Sequence, residues 1–148
     1  MMIYLSATLI GVVAGLRTMT APAAVSWAAY LGWIKLQGTW LAFLGFAITP
    51  YIITFAALAE LVTDQLPSTP SRKVPVQFGA RIVMGGLCGL AIGGFGGLIA
   101  AIVGAVIGTL AGAAVRARLT GALGSDRSAA LLEDAVAIGG AAVIVTCL

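Results

Sequence analysis

The sequence predicts an all-α integral membrane protein of about six short helical elements, and three observations carry that expectation. The 148-residue chain is 61% hydrophobic and 9% charged, whereas a soluble domain is nearer half apolar and a quarter charged. Its apolar runs are continuous, without the period of two that membrane barrel strands show, so helical spans are expected. The longest run, Ala80 to Arg118, holds no acidic residue and has basic ones only at its ends. At about forty residues it is about twice the roughly 20 needed for one crossing.

The first segment, Met1 to Ile34, is apolar except for Arg17. Met1 to Ser6 lacks the basic stretch that opens a signal peptide, so the segment is expected to stay in the mature protein. It is long for one span and short for two. Its middle reads Gly15-Leu16-Arg17-Thr18-Met19-Thr20-Ala21-Pro22, and Pro22 disfavours helix at and before itself. A broken or re-entrant first segment is therefore expected, with the hydroxyls of Thr18 and Thr20 available to freed backbone groups. Arg17 at the interruption either snorkels from a hairpin tip to the headgroups, or meets a carboxylate, carbonyls or water inside the membrane. The expected mates are Glu60 or the Glu133/Asp134 pair, because Asp64 and Asp126 can reach water.

Trp27, Tyr30, Trp33, Lys35 and Trp40 mark a membrane interface. Leu41 to Thr63 then reads as a clean span, with Pro50 the one place for a kink. Glu60 and Asp64 stand four apart, on one helix face. Two like charges there need a cation, an arginine or a shared proton. Gln65 to Gly79, with Pro67, Pro70 and Pro75, reads as a loop made basic by Arg72, Lys73 and the following Arg81.

In the long central run Gly85, Gly89 and Gly93 stand four apart, as do Gly104, Gly108 and Gly112 in a shifted phase. Small residues at this spacing make a flat face against which another backbone packs closely. Two glycine-faced helices are expected, packed as a hairpin that turns near Gly94 to Gly97. Arg116 to Ser128 follows as a second polar segment. Ser128 is the expected cap of a last helix, Ala129 to Leu148, which carries Glu133 and Asp134 early.

Six of the eight basic residues, Arg72, Lys73, Arg81, Arg116, Arg118 and Arg127, flank the hairpin. The positive-inside rule makes both flanking loops cytoplasmic and both termini periplasmic. Three elements then precede the central loop and three follow it, within one membrane domain spanning residues 1–148. This is the arithmetic of a 3+3 inverted repeat with halves 1–74 and 75–148. A shift of 74 lays Gly11 to Leu16 over Gly85 to Leu90, although the match is short and degrades in the third element.

Several function classes find no support. The net charge of +3 is small and scattered, which argues against nucleic acid. Cys88 and Cys147 lie in separate apolar segments and there is no histidine, so neither a disulfide framework nor a metal site is expected. No nucleotide loop, nucleophile with its base, or other enzyme motif occurs, and no cofactor is implied.

Gly15-Leu16-Arg17-Thr18, Glu60-Leu61-Val62-Thr63-Asp64-Gln65-Leu66-Pro67 with Pro70 and Arg72, Arg81 with its glycine run, and Leu132-Glu133-Asp134-Ala135-Val136-Ala137 resemble a family of small bacterial inner-membrane proteins. That family is known as a domain of unknown function. The resemblance covers nearly the whole chain and implies a bacterial cytoplasmic membrane, with no activity attached. Two functions are expected. One is a small transporter or channel whose polar path uses Arg17, Thr18, Thr20, Glu60, Asp64, Glu133 and Asp134. The other is a scaffold that binds partner helices through its glycine faces. A chain this small is expected to form a homo-oligomer in the bilayer.

Overall fold

Helices faced with glycine and alanine bring their backbones closer than large side chains permit, and the fold is built on that closeness. In the computed structural model, which describes residues 1–66 and 74–148, the elements are all helical. They are α1 (Met2–Leu16), α2 (Thr20–Tyr30), a 3-10 helix (Trp40–Gly45), α3 (Thr49–Thr63), α4 (Pro75–Leu123) and α5 (Asp126–Thr146). Of these, α4 and α5 are long and apolar enough to cross a membrane, and α1 and α3 are shorter apolar helices.

The central run is a hairpin. Gly93 and Gly94 leave helical geometry, and Gly94 takes φ 60° and ψ −147°, a conformation open to glycine alone without strain. The two halves of α4, residues 75–92 and 95–123, run antiparallel. A Cβ at Gly85 would meet that of Ala105, and one at Gly89 would strike Gly97 and Ala101. The turn thus falls at the leading edge of the expected stretch, and Gly93 serves it instead of a packing strip.

The second strip does not face the first. Gly104 lies against the Thr8 carbonyl and Gly108 against that of Val12, while Gly11 and Gly15 of α1 press on the backbone at Ala101 and Ala105. Gly112 is buried farther along the same helix. Helix α1 brings a glycine face of its own, so it is drawn against the hairpin, parallel to its second half.

The first segment turns back on itself. Arg17 is extended, with φ −138° and ψ 115°. Val13 lies by Gly140 and Arg17 by Asp134, so α1 is antiparallel to α5. Helix α2, in contrast, starts at this same end and packs along α5, so it follows α5 in the same sense. The break precedes Pro22, which sits in the first turn of α2, where a missing N–H has no partner to lose.

Three expected boundaries are corrected. The span Leu41 to Thr63 is divided: α3 begins only at Thr49, and Pro50 starts it without kinking it. The loop Gln65 to Gly79 is shorter, because α4 begins at Pro75; Pro67, Pro70, Arg72 and Lys73 lie outside the described residues. The polar stretch Arg116 to Ser128 is helical through Leu123. It breaks only at Gly124, with φ 66°, and at Ser125, whose side chain accepts from the Ser128 N–H and makes Ser125 the cap in place of Ser128.

Small residues fill the interior: Ala7, Ala14, Ala21, Ala28, Ala101, Ala105 and Ala137 are fully buried. Large apolar side chains such as Ile52, Phe55, Phe95, Val136 and Val143 are exposed. Helix α2 runs back alongside α5, with α3 on its far side.

Candidate functional site

Breaking a helix inside a packed bundle leaves carbonyls at one end and N–H groups at the other that must find partners. At the end of α1 the partner is Arg81, from the first half of α4 and only 2% exposed. Its Nη1 donates to the carbonyls of Gly15 at 2.7 Å and Leu16 at 2.8 Å. The Thr109 hydroxyl lies 3.3 Å from the same Gly15 carbonyl and 2.8 Å from that of Ala105. Ahead of α2, Glu60 accepts from the Thr18 N–H at 2.7 Å and the Met19 N–H at 2.8 Å, one carboxylate oxygen to each. A cation thus sits at a helix C-terminus and an anion at an N-terminus, each matching the dipole end it faces. Among the described residues the hydroxyls of Thr18 and Thr20 do not take these backbone groups, contrary to expectation.

Arg17 fills the space between the two helix ends. It is wholly buried among protein groups. Nη1 pairs with Asp64 and Nη2 with Asp134, while Nε has no acceptor among the described residues. Asp64 is the C-cap of α3, so the same guanidinium also complements that helix end. Beside this pair Arg116 forms a fork on Asp126, with Nε and Nη2 at 3.0 and 2.8 Å from the two oxygens. Its Nη1 is 3.8 Å from Glu133, and its Nη2 reaches the Asp64 carbonyl at 3.4 Å. All five acidic residues of the chain therefore gather at one end of the bundle, with Arg17, Arg81 and Arg116. Among the described residues no three of them are arranged to hold a metal ion.

A cavity of about 650 Å³ reaches this cluster between α3 and the first half of α4, lined by Thr18, Met19, Glu60, Thr63, Asp64 and Gln77. Thr20 faces a different groove, between α2, α3 and α5.

The structure brings the expected residues other than Thr20 together, though with partners exchanged. Asp134 is a mate of Arg17, one of the pairings the sequence allowed. Asp64, expected in water, is the other, and Glu60, expected to pair, caps backbone instead. The break stands near the end of the bundle, so the terminal residue of α3 is level with the guanidinium, and the residue one turn earlier is level with Thr18 and Met19. Glu133 and Asp134 are both buried.

Arg81, Thr109 and Arg116 were not foreseen. Each carries a signal in the sequence: Arg81 lies inside an apolar helix, Thr109 is the one hydroxyl between Ala80 and Arg118, and Arg116 stands ten residues before Asp126. Comparison of this chain with protein-family models, with curated proteins and with solved structures returned no match.

Proposed function

We propose that this chain is a multi-pass membrane protein that passes an ion or small polar solute along a path through the Arg17 cluster. The observation that carries the proposal is Arg17 itself, without exposure and held between Asp64 and Asp134 at a helix break. Burying such charges is expensive, and an apolar replacement of similar volume is often more stable, so a purely structural role is a poor reason to keep them. Helices interrupted inside a membrane, with charged groups at their ends, are a device by which transporters hold solutes and coupling ions. The exposed Ile52, Phe55, Phe95 and Val143 suit lipid contact. The helix directions alternate, three before residues 67–73 and three after, and the tight turns at Arg17 and at Gly93–Gly94 each follow the first helix of a half, which supports the 3+3 inverted repeat.

Glycine-mediated scaffolding is favoured less. Gly11, Gly15, Gly89, Gly97, Gly104 and Gly108 all face backbone of their own chain, so these faces are already used. Oligomerisation, which the proposal retains for a chain of this size, then uses other surfaces.

The proposal assigns a bacterial inner membrane, as the resemblance implies. The cluster end, with Arg116, Arg118 and Arg127, is cytoplasmic. In intact cells an impermeant thiol reagent is expected to modify the exposed Cys147, but not Ser125→Cys in a Cys147→Ser background. Modification of Ser125→Cys from outside would reverse or remove this topology.

For the activity, the test is the purified protein in vesicles with imposed gradients of protons, sodium, potassium and chloride, taken in turn. The protein is expected to dissipate at least one faster than empty vesicles do, and Asp134→Asn to abolish the difference. No acceleration of any gradient counts against the proposal.

A further inference from the structure

We propose that α3 is the moving element of this path, and that Glu60 latches it shut until its carboxylate takes up a proton; the proposal rests on the transport reading above. Helix α3 is the least embedded of the helices. Among the described elements it packs closely only on α2 and the 3-10 helix. A groove of about 410 Å³ separates it from α5, and the cavity of about 650 Å³ separates it from the first half of α4. Only Pro50 and Ala57 of its fifteen residues are buried.

Its two ends are held by different forces. At the start the contacts are neutral: the Thr49 hydroxyl donates to the Phe43 carbonyl at 2.7 Å, and Trp27 donates to Thr54 at 3.0 Å and meets the Tyr51 ring edge-on. At the other end charge-assisted ties hold it: Glu60 on the Thr18 and Met19 N–H groups, Asp64 on Arg17, and Arg116 on the Asp64 carbonyl. The neutral end is the hinge and the charged end is the latch.

A carboxylate accepts both N–H groups at once. A protonated carboxyl loses the charge that strengthens both bonds, and its hydroxyl oxygen accepts only weakly, so the hold on one backbone donor is largely lost. The proton comes from water in the cavity that Glu60 lines and stays on a Glu60 oxygen. The charged groups gathered at this end are Arg17, Asp64, Arg81, Arg116, Asp126, Glu133 and Asp134. Arg17 tolerates the departure of Asp64 because Asp134 remains on its other nitrogen, so α3 leaves no bare guanidinium behind.

The test uses spin labels at Val62 and Val136, both exposed, in a Cys88→Ala, Cys147→Ser background in lipid nanodiscs. Acidification is expected to lengthen and broaden the Val62 to Val136 distance. A label at Ile52, near the hinge, is expected to hold its distance to Val136. Glu60→Gln is expected to show the acid distribution already at neutral pH and to respond no further. A Val62 distance that stays fixed across the pH series in the unsubstituted Glu60 protein overturns the latch, whether or not Glu60→Gln folds. The two readings separate: movement without dissipation of any gradient keeps the latch and removes transport, and dissipation without movement does the reverse.

Discussion

Arg17→Ala is expected to destabilise the folded protein by about 3–5 kcal/mol, because it leaves the buried Asp134 and the partly buried Asp64 uncompensated. The guanidinium touches Asp64 with one nitrogen and Asp134 with the other. Its removal therefore exposes each acid to the other's charge with no cation between them. Adding Asp64→Asn and Asp134→Asn to Arg17→Ala is expected to recover most of the loss, with a coupling of about 0.5–3 kcal/mol per pair. Glu60→Gln, whose partners are backbone N–H groups, is expected to recover none of it. Arg17→Lys is expected to be destabilising as well, since a single ammonium cannot fork between two acids. Denaturant or thermal unfolding in detergent across these variants is the measurement, and simple additivity would mean that the pairs do not form.

Gly108→Ala and Gly104→Ala are expected to lower stability by about 1–3 kcal/mol each, and leucine at either position to prevent folding. A Cβ at Gly108 would collide with the Val12 carbonyl and one at Gly104 with that of Thr8. Backbone within a helix cannot give way as a side-chain tip does. Gly139 provides the opposite sign. Nothing lies within 4 Å of a Cβ there, so Gly139→Ala gains up to about 1 kcal/mol of helix propensity. Equal melting shifts at Gly108 and Gly139 would show that the strip does not pack as described.

Much of the architecture was legible because it rests on period and composition. Glycines four apart announced the hairpin, and a lone arginine before a proline announced the break. The partner of the second glycine strip was hidden, because Gly11 and Gly15 are only two residues and became visible as a face once α1 lay against Ala101 and Ala105. The site was legible as a set of residues but not as a set of pairs. Whether Glu60 or Asp64 reaches Arg17 depends on how far α3 rises relative to the break, and that height is fixed by the late start of α3 at Thr49. Arg81 misled for a related reason: a basic residue near a loop reads as a topology marker, and only the unsatisfied carbonyls of Gly15 and Leu16 draw it inward.

A variant that keeps the fold while losing the charges separates a path from a scaffold most directly. Arg17→Gln combined with Asp64→Asn and Asp134→Asn removes the ion pairs together and leaves no buried charge unpaired by the change. Reconstituted beside the unsubstituted protein, it is expected to keep the same helicity and assembly and to fail to dissipate the gradient that the unsubstituted protein dissipates. Dissipation at the unsubstituted rate by this charge-free variant would contradict the account.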